Sequence, residues 1–199
     1  MSHTAVVIGV GAERGLGAAI CRRFGAAGLH VVAAGRTREK LERVVGSIRD
    51  AGGAATAVVA DTTVEADVAR LVREAEAIAP LDVAVFNAGN NMPGDFLQME
   101  AAYFEKAWRI CCYGGFLFAR ESLRAMAPRE RGTLLFTGAS ASMRGKPFFA
   151  AFTAAKGGLR NLAQSLAREF GPKGVHVGHV VVDGGIAGVG SVVIFLPQI

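Results

Sequence analysis

The chain has few of the features that mark secreted, metal-bound or membrane-spanning proteins. Its three cysteines, Cys21, Cys111 and Cys112, are an odd number without Cys-x-x-Cys spacing, so neither a disulfide framework nor a zinc site is expected. The four histidines also lack metal-ligand spacing, and His176 and His179 alternate with valine as strand residues do; no metal is assigned. No apolar run approaches the roughly 18 residues of a membrane span. No basic segment precedes the first apolar stretch, so no secretory leader is expected and a cytoplasmic location is predicted. Lys and Arg total 22 against 17 acidic residues, for a net charge of +5, but they are spread along the chain. That spread argues against a nucleic-acid stripe and leaves an anionic small ligand as a sufficient partner.

What is present is apolar and regularly alternating. Hydrophobic residues make up 51% of the 199, and a mean hydropathy of +0.34 is enough for a substantial core,. Short β-branched runs at residues 4–10, 30–34, 54–60, 81–86, 133–137 and 176–182 read as strands. Helical patterns lie between them at 15–27, 38–50, 64–78, about 100–126 and 149–170, with Gly114-Gly115 expected to loosen the middle of the fourth. This alternation is the signature of βαβ units. It predicts an α/β fold, a Rossmann-like doubly wound parallel sheet forming a single domain over 1–199, with its ligand crevice at the carboxyl ends of the strands. No repeats or linkers interrupt it.

The run Gly9-Val10-Gly11-Ala12-Glu13-Arg14-Gly15-Leu16-Gly17 follows the first strand directly. It reads as a strand entering a glycine turn and then a helix, the geometry that holds a dinucleotide pyrophosphate. Gly11 is expected to take the tight turn, Gly15 to let the backbone approach a phosphate, and Gly17 to let the helix pack closely on the sheet. At the end of the second strand, where a carboxylate would bond the ribose 2′-hydroxyl of NAD, stands Gly35-Arg36. A guanidinium there suits a 2′-phosphate, and Arg14 lies within reach of the same group, so NADP is predicted over NAD.

Other residues at strand carboxyl ends widen the pattern: Asp61 after the third strand, Asn87-Ala88-Gly89 after the fourth, and Lys156 early on the last long helix. With Gly11-x-x-x-Gly15-x-Gly17, these spacings resemble the short-chain dehydrogenase/reductase family from about residue 4 to residue 183. The resemblance implies that Asp61, with Thr62 beside it, binds the adenine end. It implies that Asn87, Ala88 and Gly89 support the central strands and line the adenine ribose, and that Lys156 holds the nicotinamide ribose hydroxyls. Read from the residues alone, Asp61 would cap the helix beginning near Val64, and Lys156 would be solvated. The reaction implied is hydride transfer between the nicotinamide and a carbonyl or alcohol substrate.

The chain departs from the family where protons move. The family's Tyr, four residues before the Lys, is Phe152; its Ser, thirteen residues earlier, is Ala139; its Asn on the preceding helix is Cys111. A phenyl ring transfers no proton, so another donor is required. Ser140, Ser142, Thr153 and Tyr113 are the candidates, and Ser140 leads because it adjoins the family's Ser position. Adjacent on a helix, Cys111 and Cys112 diverge and are expected to have buried apolar roles. From about residue 184 the C-terminus departs from the family or is shortened, without the usual substrate lid, and the apolar segment 192–196 is an edge strand or an association site. A homodimer through the two long helices is expected. The competing reading is a catalytically silent NADP-binding interaction or regulatory module.

Overall fold

A computed structural model describes residues 3–89 and 91–184 of the chain; the tail beyond 184, including the 192–196 segment, lies outside them. Six strands form one parallel sheet in the order β3-β2-β1-β4-β5-β6. These are β1 (Thr4–Ile8), β2 (His30–Gly35), β3 (Ala55–Val59), β4 (Leu81–Phe86), β5 (Gly132–Ala139) and β6 (Val175–Val182). The helices are α1 (Leu16–Ala26), α2 (Arg38–Asp50), α3 (Glu65–Ile78), α4 (Ala101–Trp108), α5 (Gly114–Met126) and α6 (Ala150–Phe170). This is the expected doubly wound order, whose chain direction across the sheet reverses between β1 and β4 and opens a crevice at their carboxyl ends.

Every residue of β1 is buried, because helices cover both faces of the sheet there. Val7, Val31, Ala33 and Val85 pack on one face with Ala18 and Cys21 of α1 and with Leu41, Val44, Val45 and Ile48 of α2. Val6, Ile8, Phe86, Leu134 and Phe136 pack on the other with Val68 and Leu71 of α3, Leu117 and Phe118 of α5, and Leu159 of α6. Phe86 lies at the centre of that layer, its ring centroid 6.1 Å from Phe118 and 6.3 Å from Phe136. α2 ends as its glycines predict: Gly52, at φ +82°, and Gly53 donate back to the carbonyls of Arg49 and Ile48,.

Two expectations need correction. Gly114 and Gly115 do not loosen the long helix. They are buried, and a Cβ on Gly114 would strike Thr62 while one on Gly115 would strike Leu159 and Phe86. The irregularity is one turn of π-helix just before them, Arg109–Tyr113, which joins α4 to α5 without a break. The second correction concerns the glycine turn. The left-handed backbone is needed at Gly9, at φ +92°, and not at Gly11. β1 stops at Ile8, so the chain bends two residues earlier than the expected strand 4–10, and a Cβ on Gly9 would meet the backbone of Asn87 and Ala88. Gly9→Ala is therefore expected to destabilise the chain by more than about 1 kcal/mol, measurable by urea unfolding. Gly11→Ala, with nothing within 4 Å of its added Cβ, should leave the midpoint almost unchanged.

Candidate active site

The residues singled out in the sequence converge on the carboxyl edge of the sheet. Gly15 is the N-cap of α1, its N–H donating to the Ala12 carbonyl, and α1 carries no acidic residue in its first turn. A Cβ on Gly17 would lie 2.9 Å from Asn87 Nδ2 and 3.1 Å from the Gly9 carbonyl oxygen, so this glycine sets how closely the helix approaches the sheet, as expected. Space around the Gly11 α-carbon is open. The positive end of α1 therefore lies beside open space at Gly11 with no acidic residue in its own first turn, Glu13 being the one carboxylate of the turn ahead, an arrangement that fits a diphosphate,. Arg36 follows β2 at the same edge, and both it and Arg14 are exposed, with no ion-pair partner among the described residues.

Asp61 is half-buried, and its Oδ1 accepts hydrogen bonds from the backbone N–H and the hydroxyl of Thr63, each at 2.8 Å. It closes the turn ahead of α3, while Val64 occupies the N-cap position itself. The Asp61 N–H donates to Asp67. That bond, together with the Arg70 guanidinium, holds the Asp67 carboxyl below its usual range,. Thr62 is buried with its side chain and carbonyl against Gly114.

Asn87 joins three strands. Its Nδ2 donates to the Gly9 carbonyl at 3.1 Å, and its Oδ1 accepts from Thr137 Oγ1 at 3.0 Å. Lys156 Nζ donates to the Thr137 carbonyl at 2.7 Å. Thr137 thus ties Asn87 to Lys156, a role missed in the sequence, where its only signal was its place at the end of the fifth expected strand. Lys156 is 4% exposed and so is not the solvated residue of the alternative reading. Its Nζ lies 5.8 Å from the Phe152 ring centroid and 3.5 Å from where a Gly89 Cβ would be. Burial pushes the Lys156 ammonium below the usual lysine range, while nearby Cys111 acts weakly in the opposite direction.

The three family positions that had lost their polar groups do meet. Cys111 and Phe152 pack with Ala155 in one buried cluster, against which Ile110, Ala139 and Ala141 are partly buried. The π-helical turn carries Cys111 into this cluster, whereas Cys112 faces Gly158 of α6. Ser140 and Ser142 form a short 3₁₀ turn after β5, in which the Ser140 carbonyl accepts from the N–H groups of Met143 and Arg144. Ser142 Oγ accepts from the Ala139 N–H. Thr153 Oγ1 is buried with no hydrogen-bond partner among the described residues. Tyr113 lies apart, stacked 6.1 Å from Trp108 with the Arg109 guanidinium over its ring. His179 packs its ring on Gly138; burial, then the charges of Lys156 and Arg160, lower its pKa. No group of metal-ligating side chains occurs among the described residues, and no helix among them is long and apolar enough to cross a membrane.

A parallel sheet that reverses at β1/β4, with a glycine turn feeding α1, defines a Rossmann-like nucleotide-binding fold. The sequence profile of the short chain dehydrogenase family matches residues 4–188, and the chain belongs to that family of oxidoreductases. It is 33% identical over 187 residues to the uncharacterized oxidoreductase YuxG of Bacillus subtilis, a match covering 92% of this chain and 27% of that protein. Glucose 1-dehydrogenase of Gluconobacter oxydans is 31% identical over 177 residues, covering 87% of this chain and 66% of that one. The chain therefore spans less than two thirds of the length of these relatives. Among solved structures, a short-chain dehydrogenase from Rhodopseudomonas palustris superposes with a TM-score of 0.86 at 43% identity, covering 90% of this chain and 84% of that one. A metagenomic short-chain oxidoreductase in complex with NADP superposes at 0.84 with 31% identity, covering 94% and 84%.

The buried lysine makes stability depend on pH with a definite sign. Because its pKa is lowered on folding, the native state releases this proton first, and stability rises with pH from the lowered value up to the unfolded value of 10.5,. Lys156→Met should show a flatter dependence over that alkaline window in urea titrations at stepped pH. An unchanged slope would mean that Lys156 is solvated in solution.

Proposed function

We propose that the chain binds NADP and transfers hydride between the nicotinamide and a small carbonyl or alcohol substrate. The observation that carries this reading is the open glycine turn at the N-terminus of α1, whose first turn holds no acidic residue, with Arg14 and Arg36 exposed and without an ion-pair partner among the described residues. Gly11, Arg14, Gly15, Leu16 and Gly17 hold the diphosphate, Arg36 the 2′-phosphate, Asp61 and Thr62 the adenine, and Asn87, Ala88 and Gly89 the adenine ribose. Lys156 holds the nicotinamide ribose hydroxyls, for which its buried Nζ is already aimed by the Thr137 carbonyl. The bound cofactor supplies the hydride. Ser140, at the end of β5, supplies the proton that the carbonyl oxygen takes up on reduction. The NADP complex of the metagenomic relative supports the cofactor assignment.

The protein acts in the cytoplasm, with no nucleic-acid or membrane partner, as a homodimer. An apolar groove between α5 and α6, lined by Phe116, Leu123, Leu162, Leu166 and Phe170, supports pairing of the two long helices.

A second reading, a silent NADP-binding interaction or regulatory module, is favoured by one observation. Phe152 and Ala139 carry no proton-transferring group, and Phe152 packs with Cys111 and Ala155 in a buried cluster against which Ala139 is partly buried.

Calorimetric titration with NADP and NAD tests the cofactor. NADP should bind more tightly, and Arg36→Ala should weaken NADP by about tenfold to a hundredfold with little effect on NAD, the range expected for a charged hydrogen bond. Equal affinities in both proteins would remove the charge argument. Turnover decides between the two readings. Carbonyl reduction by the native chain, lowered about 10²- to 10⁴-fold in Ser140→Ala, supports the enzyme. Activity that arises only in the double variant Ala139→Ser, Phe152→Tyr supports the silent module.

A further inference from the structure

The loop after β4 and the loop after β5 both lie at the carboxyl edge, and both expose large apolar side chains. Met92, Phe96 and Leu97 come from the first, Met143 and Phe148 from the second, and all are between 55% and 88% exposed. The Gly94 N–H donates to the Phe148 carbonyl at 2.8 Å, which ties the loops together, and Tyr103 Oη donates to the Met92 carbonyl at 2.9 Å, which anchors the first. Phe148 holds this position at φ +68°, a left-handed backbone that a bulky residue adopts at a cost of order 1–3 kcal/mol and that clusters at ligand sites. The same loop runs straight into the first turn of α6, which carries Phe152 and then Lys156. Through this loop the exposed residues are linked along the chain to the helix that carries Phe152 of the apolar cluster.

Of the polar groups near that cluster, Thr137 Oγ1 donates to Asn87 and Ser142 Oγ receives the Ala139 N–H, while Thr153 Oγ1 is buried with no hydrogen-bond partner among the described residues. A sugar or polyol entering here would lose water from several hydroxyls and find few partners, whereas an apolar ring loses little and gains contact. Of the two carboxylates between β4 and α4, Asp95 accepts from the Leu97 N–H and Glu100 is exposed at the N-cap of α4. Arg144 and Lys146 are exposed in the second loop, between Met143 and Phe148 in the chain.

We infer that this mouth takes a bulky, uncharged, apolar carbonyl compound rather than a sugar or polyol. The inference rests on the hydride-transfer reading for its location but concerns binding, so it is tested by binding. Saturation-transfer NMR on the full chain, with and without NADP, would compare 2-decalone, cyclohexanone and D-fructose. The affinity should rise by about fourfold for each added ring methylene that is buried, so decalone binds best and fructose shows no transfer.

Phe148→Gly removes the ring while relieving the left-handed backbone, so it keeps the fold and should weaken decalone at least fivefold. Met143→Ser should do the same to a smaller extent. Fructose binding as well as decalone would overturn the inference, as would decalone binding that neither variant changes. Absence of decalone binding, with a fall in Tm for Phe148→Gly, would mean that the chain's own residues cover the patch. A dimer that Leu97→Ser dissociates, without decalone binding, would mean that a second copy covers it. Either outcome overturns the inference. Decalone that binds as expected but is not reduced by NADPH would leave the inference standing and count against the hydride-transfer reading alone.

Discussion

The amide of Asn87 spans the place where the sheet reverses, and the rest of the crevice depends on it. Strands β1 and β4 are neighbours whose following segments leave in opposite directions, so their carboxyl ends would otherwise present unpaired backbone groups to a cleft. Asn87 satisfies the Gly9 carbonyl on one side and receives the Thr137 hydroxyl on the other. Thr137 in turn presents its carbonyl to Lys156. One chain of three hydrogen bonds therefore sets the position of the glycine turn, the end of β5 and the ammonium of α6. The close approach of α1 is part of the same arrangement, since Gly17 leaves no room for a Cβ beside the Asn87 amide.

Along this frame the crevice changes character from one end to the other. At the α1 end, the helix N-terminus has no acidic residue in its first turn and Arg14 and Arg36 are exposed, an environment favourable to phosphate,. At the α6 end, a single buried ammonium is surrounded by Phe152, Cys111 and alanine side chains. Thr137 accepts a hydrogen bond from Lys156 Nζ and the Phe152 ring lies within cation–π range, and both favour the charged form against the cost of burial,. The contrast separates an end suited to phosphate from an end where the Tyr, Ser and Asn expected from the family are Phe152, Ala139 and Cys111.

Much of the architecture was legible in the sequence because each level of the pattern agreed. Strands buried on both faces read as continuous apolar runs, and glycines ended α2 where the register predicted. The glycine turn, Asn87 and Lys156 were recognisable because they sit at fixed offsets from strand ends. The boundaries failed where the decisive contact was distant in sequence. Gly9 is constrained by the backbone of Asn87 and Ala88, seventy-odd residues away in the chain, so β1 stops earlier than its apolar run. Gly114 and Gly115 looked like flexible points, yet Thr62 and Leu159 fill the space beside them.

The sequence by itself determined the βαβ alternation, the glycine turn ahead of the first helix and the loss of the Tyr, Ser and Asn side chains, because these are properties of local composition and spacing. Only the tertiary structure decided that Cys111, Ala139 and Phe152 would come together around a buried Lys156, and that Thr137 would link that lysine to Asn87. Those contacts join residues on different elements, and burial and hydrogen-bond partnership exist only once the sheet and helices are packed.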